Sequence, residues 1–378
     1  MRVLSVVTLF TPDGAYGGPT RVALNQAAAL RAAGHDVRLA GGASGYDPLP
    51  DRVDDVAVDL FGVRRLLPGT GFAGLTSPGL RRWARRLLPG VDVVHVHLAR
   101  DLVTLPVALD ARRAGVPYVL QTHGMIDPSD HPLARPLDAL ATRRVLRDAA
   151  AVTHLTTDEA ERLTAVAGPG LRLVELVNGV PVQPPRPTPG TREVLYLARL
   201  APRKRPALFV SAAQRLAATH PDVRFTLVGP DEGEGDAVRA LLARDDADGR
   251  ITWEGPLPLD RTAARVARAA VSVLPSVDEP FPMSVIEAMS AGVPVVVTDT
   301  CGLAGRIRRA GAGEVAGPDE QSLVDAVDRL LGDADAARAA GEAGRRLTRE
   351  ELSIDAVRDR LESVYADAAA RGAARART

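Results

Sequence analysis

Apolar runs of strand length alternate with helical patterns along nearly the whole chain, and this alternation constrains the fold more than any other feature. It begins with RVLSVVTLF, then the helical stretch GPTRVALNQAAALRAAG, then DVRLAGG. It continues through DVVHVHL, YVLQTHG and AVTHLT, each leading into a helical segment. Strands joined by crossover helices make a mostly parallel sheet covered on both faces. Residues 181 to 190, PVQPPRPTPG, break the rhythm with five prolines, which forbid a continuing helix or a central strand and make a semi-rigid spacer. The alternation restarts with EVLYLAR, VRFTLVGP, ITWEGPL, VSVLPS and VPVVVTD. A chain of 378 residues is too long for one ordinary core and suits two domains of about 180 residues each. The expected fold class is therefore α/β, with two Rossmann-like doubly wound domains over residues 1–180 and 193–350 that face a cleft, joined by a linker at 181–192. In the remaining segment, 351–378, a helical pattern places Ile354, Val357, Leu361, Val364 and Tyr365 on one stripe. That stripe predicts a helix docking across the domains, followed by a frayed tail.

Charge and cysteine usage narrow the function. With 47 basic against 47 acidic residues there is no global field for nucleic acid, and no long block of like charge. One cysteine, Cys301, forms no internal disulfide and fits a reducing compartment, so a cytoplasmic location is expected. No stretch approaches the roughly 20 apolar residues of a membrane span, and the opening apolar run reads as a first strand.

In open α/β sheets ligands bind beyond the carboxyl ends of the strands, so the loops there are where chemistry is sought. After the first strand, Gly17 and Gly18 precede a helix whose first turn accepts Pro19, and bare amides at a helix start bind anions. A plain glycine turn is the alternative. His123 stands just past the strand YVLQ, where it can point into a cleft or serve the structure. His95 and His97 share one strand face, but the acidic or cysteine partners of a catalytic zinc site are missing, and no metal is expected. Lys204 is the one lysine among the 47 basic residues. A drift that turned every other basic position into arginine leaves either a chance survivor or a lysine with a task.

The strongest local signal is PSVDEPFPMSVIEAMSAGVPVVVTD, residues 275 to 299. A helix opening at Pro282 offers free amides near Met283 and Ser284 to a diphosphate. Glu287 would lie about 7.5 Å further along, at about 1.5 Å per residue. Glu279 and Glu287 then fall on either side of the phosphates, a layout that matches a nucleotide sugar. Two glutamates favoured by the helix dipole are the simpler alternative, which explains Glu279 better than Glu287.

The ordered set GGPTRVALNQAAALRAAGHDV, DVVHVHL, THG, LVNGV, LARLAPRKRP, LVGP and EPFPMSVIEAMSAGVPVVVTDTCGL resembles the retaining glycosyltransferases of two-Rossmann (GT-B) architecture, the large group 1 (family 4-like) class with bacterial mannosyl- and polysaccharide glycosyltransferases. The resemblance covers nearly the whole chain. It implies that Arg199 and Lys204 contact the donor diphosphate, Glu279 the transferred sugar and Glu287 the ribose. Phe281, Pro282, Met283 and Ser284 would line the donor, and the Gly17–Gly18 loop and His123 would complete the site. His123, Arg199, Lys204 and Glu279 form the expected catalytic set, and His97 and Arg21 the expected acceptor contacts. Two features depart from the family pattern: Pro282 stands where many members have glycine, and Lys204 lies between two arginines where a glycine often follows.

Breaking the bond from an anomeric carbon to a nucleoside diphosphate builds negative charge on the leaving phosphate, which fixed cations stabilise. The expected co-substrate is a UDP- or GDP-linked sugar, with no cofactor required, and the acceptor a glycan, lipid-linked or small molecule in cell-surface or exopolysaccharide synthesis. Residues 79 to 90, GLRRWARRLLPG, carry an apolar face (Leu80, Trp83, Ala84, Leu87, Leu88) opposite Arg81, Arg82, Arg85 and Arg86. Such a helix lies on an anionic membrane or packs on a sheet with its arginines solvated. A nucleotide-sugar epimerase, a phosphorolytic enzyme of the same fold and a catalytically silent glycan-binding partner are the competing functions.

Overall fold

The computed structural model describes residues 1–12, 17–66, 71–184, 192–244, 249–258 and 261–375. It divides into two compact units, Met1–Gly179 with Ile354–Thr378, and Val180–Ser353.

The first unit carries strands β1 (Arg2–Phe10), β2 (Asp36–Ala43), β3 (Asp59–Gly62), β4 (Val93–His97), β5 (Tyr118–Gln121), β6 (Ala151–His154) and β7 (Leu173–Glu175), all pairing in parallel in the order β7-β6-β5-β4-β1-β2-β3. Residues alternate between faces along a strand, and both faces are apolar here. Val94 and Val96 join a core with the helix Pro78–Leu87, while Val93 joins the opposite core with the helices Gly17–Ala32 and Ile354–Arg375. The closing helix, expected across the domains, is part of the first unit. Val357, Leu361, Val364 and Tyr365 of its predicted stripe are buried in that second core.

In the second unit, β8 (Arg192–Leu197), β9 (Val223–Val228), β10 (Ile251–Trp253), β11 (Val271–Leu274), β12 (Val295–Thr298) and β13 (Gly313–Ala316) form a second parallel sheet in the order β10-β9-β8-β11-β12-β13. Both sheets reverse direction between their first and fourth strands, the doubly wound order in which a crevice opens at the carboxyl edge. The start of the proline-rich stretch is bonded to this unit: Gln183 N donates to Ser290 Oγ at 3.0 Å, and Ser290 Oγ donates to the Pro181 carbonyl at 3.2 Å. The remainder of that stretch, 185–191, lies outside the described residues, as does the end of the expected frayed tail, 376–378.

Candidate active site

The reversal point of the second sheet lies between β8 and β11, so the loops that follow these strands border its crevice. The first carries Arg199 and Lys204, the second Glu279. Both loops are braced from below. The Tyr196 hydroxyl, on a fully buried ring, donates to the carbonyls of Arg199 (3.1 Å) and Lys204 (3.4 Å). Burial pushes this phenol's pKa up, which keeps it a donor. Gly229, after β9, sits where a Cβ would lie 2.0 Å from the Ala198 carbonyl oxygen, so only glycine lets these two loops meet. The loops after β8 and β11 are bonded to each other: Val277 N donates to the Arg203 carbonyl at 3.0 Å, and Arg203 Nη1 to the Asp278 carbonyl at 2.9 Å. Asp278 adopts a left-handed φ of 49° and Gly302 N donates to the Glu279 carbonyl at 2.8 Å.

This framework sets Lys204 Nζ against Glu279 Oε2 in an ion pair, with Arg203 Nη1 3.2 Å from the same oxygen. The side chains of Lys204 and Glu279 are 12% and 8% exposed. Burial lowers the ammonium pKa from the ordinary lysine value, and the Glu279 charge opposes that shift. The sequence placed Lys204 and Glu279 at one donor; the structure pairs them directly. Arg199 is elsewhere engaged: its Nη1 lies 2.8 Å from both carboxylate oxygens of Glu232, at a half-exposed position. An exposed pair of this kind is worth about 0–1 kcal/mol, so a phosphate can displace Glu232 at little cost. Arg203, Tyr196 and Glu232 carried no signal in the sequence, because their roles depend on which strands are neighbours.

The helix that follows runs Met283–Ser290 with Pro282 as its N-cap, one residue later than predicted. Its first internal bond is from Ile286 N to the Pro282 carbonyl at 3.3 Å, which leaves the amides of Met283, Ser284 and Val285 ahead of the ladder. Phe281 and Pro282 are buried, Met283 and Ser284 half-buried. Glu287 is buried four residues beyond Met283, about 6 Å along the axis rather than about 7.5 Å.

In the first unit, Gly17 opens the helix Gly17–Ala32, and Gly18 is exposed with open space where a Cβ would stand. The loop before it, 13–16, lies outside the described residues. Arg21 is half-buried on this helix. His123 adopts φ 51°, a left-handed conformation that costs a non-glycine residue about 1–2 kcal/mol. Its Nε2 lies 2.8 Å from His97 Nδ1, the two rings stack at 5.1 Å, and His97 stacks in turn on His95 at 4.6 Å. His97 Nε2 is 3.4 Å from Ser5 Oγ, and His95 Nδ1 2.7 Å from the Tyr365 hydroxyl. Burial pulls His95 down to about 4 and His123 to about 3, the latter also through His95. His97 is lowered well below the usual imidazole range, by burial and its two neighbours. The ladder is therefore uncharged at neutral pH. His97, expected to touch the acceptor, is fully buried behind His123 and has no surface with which to do so. Among the described residues no group of three His, Cys, Asp or Glu side chains is arranged to hold a metal ion.

The helix Pro78–Leu87 carries most of residues 79 to 90. Leu80, Ala84 and Leu88 are buried in the core with Val94 and Val96, and Trp83 and Leu87 pack against it, so the apolar face is not available for membrane insertion. Arg81 makes a bidentate pair with Asp110 (2.7 and 2.9 Å), while Arg82 and Arg86 have no carboxylate partner among the described residues. With Arg85 and Pro78, these arginines line a surface concavity. No helix among the described residues is long and apolar enough to cross a membrane.

Two family models match in tandem: the glycosyl transferase 4-like domain over residues 17–179 and glycosyl transferases group 1 over residues 183–347. The chain belongs to the GT-B glycosyltransferases. It is 29% identical over 326 residues to a 2-deoxystreptamine glucosyltransferase of Streptomyces kanamyceticus, covering 75% of this chain and 81% of that one. It is likewise 29% identical over 399 residues to the glycogen synthase of Mycobacterium tuberculosis, covering 97% and 94%. The fold of this glycosyltransferase is similar to that of Anabaena HepE, crystallised with UDP and glucose, at a TM-score of 0.74 and 19% identity over 97% of this chain and 99% of that one.

Proposed function

We propose that this glycosyltransferase moves a sugar from a UDP- or GDP-linked donor to a glycan, lipid-linked or small-molecule hydroxyl, with retention at the anomeric carbon and without a metal ion. The observation that carries the reading is the Lys204–Glu279 pair at the reversal point of the second sheet, beside the free amides of Met283 and Ser284. A donor diphosphate over these amides draws the Lys204 ammonium from Glu279, and the carboxylate oxygen so released accepts from sugar hydroxyls. Glu287, buried further along the helix, takes the ribose hydroxyls. Arg199 exchanges Glu232 for phosphate. The bond from the anomeric carbon to the diphosphate oxygen breaks with its electron pair on the phosphate, where Lys204 and Arg199 stabilise the growing charge. The acceptor oxygen bonds the same face of the sugar, and its proton passes to a phosphate oxygen. His123, neutral and fixed by His97, orients the sugar. Support comes from relatives named as glycosyltransferases and from the UDP and glucose bound to the HepE fold.

A thermal-shift screen with UDP, GDP, ADP and their sugars tests the site. A nucleotide present at 100 times its dissociation constant should add about 2.7 kcal/mol of stability with EDTA present. No shift with any of them would remove the donor site. Turnover should also survive EDTA; complete loss restored by magnesium or manganese would refute metal independence. Donor consumed without an acceptor would favour the epimerase or phosphorolytic readings, and binding without turnover across an acceptor panel a silent partner.

The arginine concavity supports a second part of the reading, an electrostatic contact with an anionic lipid surface that involves no insertion. Vesicles containing phosphatidylglycerol should bind the protein at low salt and release it at high salt. Arg82→Gln with Arg86→Gln should abolish binding while the Arg81–Asp110 pair stays intact. Wild-type protein that ignores such vesicles at low salt would leave the helix a purely structural role.

A further inference from the structure

We infer that Glu159 is a positioning residue that clamps the backbone on both sides of His123 and so fixes the imidazole in the first unit's candidate site. The inference rests on the reading that His123 orients the donor sugar.

Residues Thr156-Thr157-Asp158-Glu159 have the spacing of a capping box at the start of the helix Thr157–Ala167. Half of that box is present, since Thr156 Oγ1 accepts from Glu159 N at 3.2 Å. The returning half is diverted. The Glu159 carboxylate accepts from Leu155 N (2.7 Å) with one oxygen, and from Thr122 Oγ1 and Gly124 N (both 2.6 Å) with the other. Thr122 and Gly124 are the two neighbours of His123. A cap at a helix start can sit half in water, whereas Glu159 is 3% exposed, a position that a carboxylate holds only when its oxygens are satisfied.

The loop needs such a clamp. His123 and Gly124 both have positive φ, 51° and 72°, and this turn directs the Gly124 amide inward to an acceptor that no strand supplies. The loop's far end is held separately: Arg100 donates to the Asp127 carbonyl at 2.5 Å and to Asp138 at 2.9 and 3.0 Å. The ring of His123 is fixed by His97 from beneath. Backbone and ring are thus held by different partners, and Glu159 alone among them bridges both flanks of His123.

The test uses full-length protein with isotope-labelled histidine. In Glu159→Gln, and in Thr122→Val, the ring signals of His123 and its partner His97 should shift while those of His35, His131 and His220 stay in place. Thr156→Ala, which removes the helix cap and leaves the clamp, should lower the melting temperature without moving the His123 signals. With the nucleoside diphosphate sugar that stabilises the wild type most, Glu159→Gln should lower kcat at least tenfold with little change in donor KM. Glu159→Gln combined with His123→Ala should be no slower than His123→Ala alone. Unmoved His123 signals in folded Glu159→Gln, or rate losses that multiply, would overturn the clamp. If Glu159→Gln does not fold, Thr122→Val decides the matter, because it removes one donor and keeps the carboxylate. Full turnover in His123→Ala would instead sink the role given to His123, and the ring signals would still judge the clamp.

Discussion

Lys204→Met is expected to lower turnover by about a thousandfold, near 4 kcal/mol of barrier, in a protein that still folds. The rate loss follows from the proposed role of the ammonium at the departing diphosphate, where charge grows most between ground and transition state. The fold should survive because Glu279 keeps a second cation, Arg203 Nη1 at 3.2 Å. Removing the sole partner of a buried carboxylate costs about 3–5 kcal/mol, and the retained arginine should hold the loss well below that. Lys204→Arg separates charge from shape. It keeps the charge, but a planar guanidinium has to enter a space in which Lys204 is 12% exposed and already flanked by Arg203. Turnover should fall at least tenfold, about 1.4 kcal/mol, with nucleotide affinity falling less. Wild-type turnover in Lys204→Arg would mean that the chain's one lysine survived by chance.

The alternation of strand and helix signals foretold two parallel sheets, because a buried strand and an amphipathic helix each announce themselves over a few residues. Lys204 and Glu279 stood out in the sequence, and the resemblance implied a donor contact for each. Their direct pairing could not be read there, since it depends on β8 and β11 being neighbours at the sheet's reversal point. The resemblance assigned Arg199 to phosphate; its contact with Glu232 could not be read in the sequence, because Glu232 comes from a loop over thirty residues away, after the neighbouring strand β9. Glu159 is the clearest case of concealment. Its sequence context reads as a helix cap, and only the approach of the Thr122–Gly124 loop shows that the carboxylate reaches elsewhere. His97 alternates with Val96 on a strand buried on both faces, so its sequence could not say whether it met solvent or another imidazole. The arginine-rich helix had two readings with identical periodicity, and the core beneath it accounts for the apolar face alone.

Acidification from pH 6.5 to pH 5 is expected to remove about 4 kcal/mol or more of stability from the first unit. The histidine ladder sets the direction. His95 and His123 have folded pKa values of about 4 and about 3, against 6.5 when unfolded, so between those limits the unfolded chain binds the extra protons. Stability therefore falls as pH falls, by about 1.4 kcal/mol per unit for each such histidine. Over 1.5 units that is about 2 kcal/mol apiece, and His97, lowered in the same direction, adds to it. Above pH 6.5 the effect vanishes. The groups bonded to the ladder, Ser5 and Tyr365, are neutral and cannot offset an imidazolium charge. The second unit holds one histidine, His220, 2.7 Å from Asp328. The two tryptophans report the units separately, Trp83 the first and Trp253 the second. Urea unfolding of Trp253→Phe and Trp83→Phe should show the Trp83 transition moving to much lower urea at pH 5 and the Trp253 transition moving little. Equal first-unit stability at the two pH values would mean that the folded ladder accepts protons, and the neutral, fixed His123 on which the proposed sugar orientation depends would have to be given up.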